Sequence, residues 1–328
     1  MPIEIKNEDT QSVPNRNKDS FSTNNVSLDH LKKDESNIDN HPFETENCEN
    51  SAIDLSSNTA INSTPKPAPV SDPNKITVSI SDNTTPIVVL YGPPACGKTM
   101  TLVRLTRFLK DIGYTITPDK VFRGSEDPKY KELCDDFDEI IASNDAALST
   151  DRISFMLVKV FFNGHPICQI LEAPGEHYYN PDTKETNYPP YISRIISQNN
   201  RKIWGIMVEP DWESDSFRRG YVNNIKKLKL KTAHRNDGFL FIYNKIDRTN
   251  AIHISDAIKE VSDQFAGIFV PFENQNPITK LWRKYNCDFV TFTTGDYCEA
   301  ADGTLTYTPS ADEYPQRLWN CIMKHIKG

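Results

Sequence analysis

Apolar residues change their spacing several times along the 328-residue chain. "KITVSI" (75–80) alternates apolar and polar positions, the period of an edge strand, and Asp82-Asn83 then offers a turn. "PIVVLY" (86–91) is an unbroken apolar run, the form of a buried parallel strand. Leu102, Leu105, Phe108, Leu109 and Ile112 recur at helical spacing, and Gly113 supplies a stop. Residues 114–150 make a long connection that holds one helix over about Pro128–Ala142. "SFMLVKVFFNGHPICQILEAPGE" reads as two strands joined at Asn163-Gly164, where both residues tolerate the positive φ of a tight hairpin. Helices are then expected near Tyr191–Asn199, Phe217–Leu228, Ile254–Phe265, Ile278–Tyr285 and Tyr314–Ile326. Strands are expected at "IWGIMV" (203–208), "FLFIY" (239–243) and "FVTFT" (289–293). This alternation predicts an α/β three-layer sandwich. Its sheet is mostly parallel with one antiparallel hairpin strand, and helices lie on both faces.

Composition divides the chain unequally. Residues 1–74 hold two aromatics, Phe21 and Phe43, and six Lys/Arg against thirteen Asp/Glu. Such a segment cannot bury enough apolar surface to offset its ordering entropy, so 1–74 is expected to be a disordered acidic tail ahead of one folded domain, 75–328. In that domain 31 basic residues face 32 acidic ones, a near-neutral balance that argues against nucleic acid as a partner. No stretch approaches the ~18 apolar residues of a membrane span, and no secretory leader pattern is present. The seven cysteines are scattered and odd in number, which suits free thiols in a reducing cytoplasm.

The chemistry begins where the first apolar strand ends. "GPPACGKT" (92–99) fits G-x-x-x-x-G-K-[ST] between a strand and a helix. Gly92, Pro93, Pro94, Ala95, Cys96, Gly97, Lys98, Thr99 and Met100 are therefore the candidate phosphate-binding segment. Its glycines let backbone N–H groups turn inward around phosphate oxygens, and the following helix points its positive end at the same anion. Lys98 would reach the β- and γ-phosphates, and Thr99 would place its hydroxyl on Mg²⁺. This loop suits ATP and GTP alike. The base is addressed by "NKID", in which Asn244, Lys245 and Asp247 follow a buried strand. A carboxylate there can accept from guanine N1–H and N2–H₂, a pair of donors that adenine lacks. Asn244 can bond the base and brace the loop, and the Lys245 stem can cover the ring.

In this order the motifs resemble those of P-loop GTPases of the Ras-like, TRAFAC class, over roughly residues 86–328. "LEAPGE" (171–176) resembles that family's D-x-P-G segment. The resemblance implies that Gly175 offers its N–H to the γ-phosphate and that Glu172, standing where the family has Asp, holds Mg²⁺. "FVTFTTGD" (289–296) is similar to the family's S-A-K motif, with Thr293 and Thr294 near the guanine O6 and Gly295 in place of Lys. Thr150, with Ser149 beside it, is the candidate for the threonine that binds Mg²⁺ and γ-phosphate. Glu176 or His177 would orient the attacking water, alongside Lys98, and Arg123 or Arg152 would be the nearest arginines. The resemblance thus implies a GTP/GDP- and Mg²⁺-dependent switch that hydrolyses GTP slowly and answers to a protein effector or activating protein. A helical insertion at about 114–150 lengthens the route from Lys98 to Thr150. Two alternatives stand beside this reading. One is a P-loop ATPase or nucleotide kinase, although no apolar strand ends in Asp-Glu and no Arg-rich lid follows. The other is a nucleotide-binding scaffold without useful hydrolysis. "KKLKLK" (226–231) reads as a basic helix end, Cys96 as a thiol open to oxidation inside the loop, and the histidines as too dispersed for a metal site.

Overall fold

The computed structural model describes residues 72–124, 127–143, 155–179, 188–210, 212, 214–299 and 305–328. The expected tail lies outside them but for its last three residues. Its first strand, β1 (Ile87–Tyr91), is buried at every position. A strand covered on both faces needs an apolar side chain at each residue, which is why its sequence does not alternate. The chain then turns through Gly92–Gly97 into α1 (Lys98–Asp111) and returns as the short β2 (Thr115–Pro118). Two helices follow, α2 (Pro128–Asp135) and α3 (Phe137–Ala142), where the periodicity suggests one. The break falls at Asp136, whose φ of −91° and ψ of 2° leave the helical region. Asp in the run "DDFDE" competes with the helix by bonding local backbone, so this is a natural place to divide it.

The hairpin β3 (Met156–Phe162) and β4 (His165–Glu172) closes at Asn163 and Gly164, with φ of 50° and 77°. The remaining elements are α4 (Pro190–Ser197), β5 (Lys202–Val208), α5 (Asp215–Lys231), β6 (Gly238–Tyr243), α6 (Ile254–Gln264), α7 (Pro277–Trp282), β7 (Asp288–Thr291), β8 (Gly295–Glu299), β9 (Leu305–Pro309) and α8 (Glu313–Lys327). Seven strands form one sheet in the order β2-β3-β4-β1-β5-β6-β7, and β8 and β9 form a separate pair. Within the large sheet β3 alone runs against the others. Helices cover both faces, giving the mixed α/β arrangement of a P-loop NTPase core.

Two local differences from the sequence pattern have a common cause. Residues 75–80 do not form an edge strand; they make a single bridge, Val78 to Arg123. The edge position beside β3 is taken by β2, so the alternating segment meets only the loop after it, with Ser79 N–H donating to the Phe122 carbonyl at 2.8 Å. The four residues of β2 end in Pro118, which weakens a strand pattern but is compatible with a sheet edge. Asp82 does make the expected turn, accepting from Thr84 N–H at 2.9 Å and Thr85 N–H at 3.0 Å.

Helix α8 is held on β7 by Asp288, which accepts from Lys324 at 2.7 Å and Arg283 at 3.3 Å and pairs with His325 at 2.9 Å. These partners hold its carboxyl far below the usual range. Cys321 also lies within metal-ligand reach of Asp288 and His325. Because Lys324 and Arg283 already occupy the carboxylate, this group is an ionic tie between helix and strand. The basic end of α5 is likewise packed, with Lys229 4.2 Å from the Phe239 ring centroid and Lys231 4.7 Å from that of Tyr188. Among the described residues no helix is long and apolar enough to cross a membrane.

The end of β9 is fastened to α1. Arg104, 3% exposed, donates to the Ser310 carbonyl and to Asp312, both at 2.6 Å. Arg104→Met keeps the apolar stem but strands the Ser310 carbonyl. The expected loss is about 2 kcal/mol, seen as a melting temperature lower by roughly 4–8 °C. An unchanged melt would show that the latch contributes nothing net.

Candidate functional site

The loop after β1 is shaped by a few close contacts. Ala95 and Gly97 adopt positive φ, 61° and 86°, which turns successive peptides toward a common centre. Pro93 and Pro94 have no N–H to offer, so the anion-facing donors begin at Ala95. A Cβ on Gly92 would lie 2.6 Å from Cys96 Sγ and 2.9 Å from Met207 Cβ, so the loop starts hard against the sheet. Cys96 faces that sheet, is fully buried, and has its thiol pushed up to about 11 by desolvation. The oxidation suggested by its sequence position therefore meets a protonated, inaccessible sulfur.

Three strand ends meet around the loop. From β6, Asn244 Nδ2 donates to the Cys96 carbonyl at 3.0 Å, and a Cβ at Gly97 would overlap that same amide. Lys245, at φ 56°, pairs through Nζ with Glu209 beyond the end of β5. Asp247 sits in a single helical turn, exposed, with no hydrogen-bond or ion-pair partner among the described residues. From β4, Glu172 is 2% exposed and accepts from the Thr99 hydroxyl at 3.1 Å through Oε1. Gly175 lies so close to the loop that a Cβ there would overlap the Pro93 carbonyl and the Pro94 nitrogen. Beyond β7, Thr293 and Thr294 are buried, and Thr294 accepts through its carbonyl from Ser310 N–H at 3.0 Å and the Tyr307 hydroxyl at 2.7 Å.

A cavity of about 300 Å³ opens between these segments. One end is lined by Ala95, Gly97, Lys98, Thr99 and Met100, the other by Asn244, Lys245, Asp247 and Arg248, with Thr293, Thr294, Gly295 and Tyr297 on a third side. Gly92, Pro93, Pro94, Cys96, Glu172 and Gly175 do not line it and act on the loop from behind or beside it. Lys98 is buried and donates through Nζ to the Pro93 carbonyl at 2.9 Å, so its ammonium lies over its own loop.

Glu172 is the electrostatic anomaly of the site. Burial pushes its carboxyl from an ordinary 4.5 up to about 8, against the opposing pull of Lys98 and of the Thr99 hydroxyl. Its Oε2 has no hydrogen-bond partner among the described residues. A buried carboxylate oxygen without a donor, beside a threonine hydroxyl, is a donor set suited to a hard cation such as Mg²⁺. The longer Glu side chain reaches the Thr99 hydroxyl directly.

The sign of the resulting pH dependence follows. The folded protein binds this proton more tightly than the unfolded chain, so its contribution is full below about pH 4.5 and is lost as pH rises toward about 8. The metal- and nucleotide-free melting temperature of Glu172→Gln should fall less over that window than that of the native protein. Titration of Mg²⁺ at pH 7, read by calorimetry in two buffers of different ionisation enthalpy, should release close to one proton. Equal slopes for the native protein and the variant would dismiss the shift.

The two side chains considered for positioning water are held differently. Glu176 is exposed, whereas His177 is 6% exposed. The His177 Nδ1 is hydrogen-bonded to the Tyr191 hydroxyl at 2.6 Å, and burial lowers its pKa, keeping the ring neutral. Arg123 pairs with Asp127 and lies 5.3 Å from the Tyr130 ring centroid. Thr150, Ser149 and Arg152 lie outside the described residues. Tyr297 is the residue that the motifs do not nominate, because it comes from a hairpin beyond the last of them. The signal for that hairpin is nonetheless present, since Asp302-Gly303 falls between two alternating runs.

No protein-family model and no curated protein matches the chain. Among solved structures it is similar to nucleolar GTP-binding protein 1 of Plasmodium falciparum, with 13% identity over 76% of this chain and 92% of that one, at a TM-score of 0.36. It is similar to a point variant of SsGBP, with 12% identity over 75% of this chain and 58% of that one, at a TM-score of 0.31. It is also similar to the RocCORdC segment of Roco2 from Methanosarcina barkeri bound to GDP, with 11% identity over 76% of this chain and 51% of that one, at 0.30. The chain thus spans a little over half the length of the last two. Likeness this remote says nothing about chemistry.

Proposed function

We propose that this chain binds a guanine nucleotide with Mg²⁺, hydrolyses GTP slowly, and changes conformation when the γ-phosphate is lost. The observation that carries the reading is the single cavity in which a phosphate-binding loop, a free carboxylate and a buried threonine turn face one another. The loop N–H groups from Ala95 onward and the N-terminus of α1 would receive the phosphates. Lys98 would exchange its bond to the Pro93 carbonyl for the β- and γ-phosphates. Asp247 would accept from the guanine edge while Asn244 keeps the loop in place. Thr99 and Glu172 would hold Mg²⁺, which when bound neutralises charge on the phosphates. Gly175, already pressed against the loop, would give its N–H to the γ-phosphate and lose that partner on hydrolysis.

The reading is tested by titrating a fluorescent GDP, then GTP and ATP in competition, with Mg²⁺ present. Preference for guanine by a factor of ten or more supports it, and preference for ATP overturns it. Single-turnover hydrolysis is expected on the order of 10⁻⁴ to 10⁻³ s⁻¹, the range of unassisted small GTPases. A burst faster than 1 per minute would contradict a need for an activating protein (a rate limit of roughly that size follows from the same comparison). One observation favours a second reading, a nucleotide-binding scaffold without useful turnover. The His177 ring is buried and engaged by Tyr191, and Glu176 brings a negative charge, so neither side chain is poised to orient water. Binding of GTP without measurable hydrolysis would select it.

A further inference from the structure

We infer that Tyr297, carried by the β8–β9 hairpin, forms the aromatic wall against which a bound purine packs, and that it sets how long nucleotide stays rather than which base is chosen. This rests on the guanine-nucleotide reading of the cavity and deepens it.

Tyr297 lines the cavity together with Lys245, Asp247 and Thr294. It belongs to the end that would hold the base, since its hydroxyl feels the charges of Asp247 and Arg248. The turn beside it can have no side chain of its own. Gly295 has a φ of 134°, and a Cβ there would overlap the Thr308 carbonyl and approach the Ser310 nitrogen to 2.6 Å. The lysine that the resembling motif carries at this position is therefore sterically excluded, and the nearest ring on that side is two residues further on.

The ring is held in place by two contacts, one of them itself braced. Its hydroxyl is 2.9 Å from Thr294 Oγ1. Its ring is backed by Tyr307, with centroids 5.4 Å apart. Tyr307 is itself fixed, because its hydroxyl donates to the Thr294 carbonyl at 2.7 Å and the Arg107 guanidinium of α1 lies 5.2 Å from its ring centroid. Arg104, one turn earlier on α1, grips Ser310 and Asp312 just past β9. The helix that begins at the phosphate loop thus also positions the hairpin. Even so, Tyr297 stays 40% exposed, whereas most aromatic rings among the described residues are buried. A ring supported on one side and open on the other is a platform for a flat ligand. Every base has a π-face, so stacking adds affinity with little discrimination, and discrimination is left to Asp247.

The test is stopped-flow release of GDP labelled on the ribose with a methylanthraniloyl group, in the presence of Mg²⁺. Tyr297→Ala is expected to release it about tenfold faster, Tyr297→Phe within about twofold of native, and Tyr297→Leu close to Ala. The GDP-over-ADP preference should be the same in all four proteins. Labelled XDP bound to Asp247→Asn should be released faster by the same factor when Tyr297→Ala is added. Native release from both Tyr297→Ala and Tyr297→Leu, with GDP still bound, overturns this inference alone. Release from Tyr297→Phe as fast as from Tyr297→Ala also overturns it, by assigning the effect to the hydroxyl on Thr294. Failure of the native protein to bind any guanine nucleotide removes the functional reading and this one with it. Tyr297→Phe retains the ring and its backing, so the comparison survives if Tyr297→Ala proves unstable.

Discussion

Asp247→Asn is expected to move the base preference of this protein from guanine toward xanthine. In the free protein the Asp247 carboxylate is exposed and without a hydrogen-bond or ion-pair partner among the described residues, while it lines the cavity. Guanine offers it N1–H and N2–H₂. Two hydrogen bonds to a charged acceptor are each worth about 1.5–3 kcal/mol. Losing their charge character and meeting one donor with another should weaken GTP binding by about 10²- to 10³-fold. Xanthine has a carbonyl where guanine has its amino group, so the Asn amide can donate there and accept from N1–H. XTP should gain affinity by a comparable factor. The readout is competitive displacement of labelled nucleotide at fixed Mg²⁺. Because Asp247 leaves no internal partner stranded, the fold should keep its stability within about 0.5 kcal/mol. GTP affinity that ignores the substitution would make "NKID" a coincidence of sequence and return the loop to an ATP-using protein.

Gly175→Ala should be among the most damaging single methyl groups in the site. At Gly92 and Gly97 an added Cβ would meet side chains, which can move. At Gly175 the new Cβ would meet backbone, the carbonyl of Pro93 and the nitrogen of Pro94. Overpacking of a rigid region costs about 1–3 kcal/mol, and backbone on both sides of the contact puts this case at the upper end. The Pro93 carbonyl is also the acceptor of the Lys98 ammonium, so a displaced loop disturbs the Lys98 side chain as well. Two effects are expected together. The melting temperature of the free protein should fall by roughly 6–12 °C, the shift that about 3 kcal/mol produces in a domain of this size. Any difference between GTP and GDP affinity should shrink below about twofold, because a residue wedged away from the loop cannot bring its N–H to the γ-phosphate. A variant that melts like the native protein would show that the contact yields easily. One that melts lower but still separates GTP from GDP would remove Gly175 from the switch.

Much of the fold is legible because it depends on local pattern. The apolar runs in β1, β5 and β6 announce strands covered on both faces, and Asn163-Gly164 marks the tight turn at which β3 reverses into β4. The alternation of strands and helices then leaves few topologies open. Strand pattern and structure part at the sheet edges. Residues 75–80 have a strand's alternation and no strand to pair with, because β2 occupies the edge. Local pattern favours "KITVSI" over "TITP", which ends in proline, yet the edge goes to β2, since strand formation depends on which neighbour arrives. The β8–β9 hairpin escaped for a related reason: it belongs to a two-stranded sheet of its own, outside the strand–helix alternation.

The candidate site divides the same way. Residue types at fixed spacing nominate Gly92–Thr99 as a candidate phosphate loop and Asp247 as a candidate base-reading carboxylate, because the proposed chemistry needs backbone N–H groups and a carboxylate there whatever surrounds them. By itself the sequence therefore determined the strand–helix alternation of the central sheet, the loop at the end of β1 and the chemistry that loop can offer. Only the tertiary structure decided that Glu172 stands against Thr99, that Asn244 holds the Cys96 carbonyl from 148 residues away, and that Tyr297 closes the far side of the cavity. The physical reason is reach. Hydrogen bonds and ring contacts act over a few ångströms, so they are set by which distant strand ends the sheet brings together, and no local spacing records that.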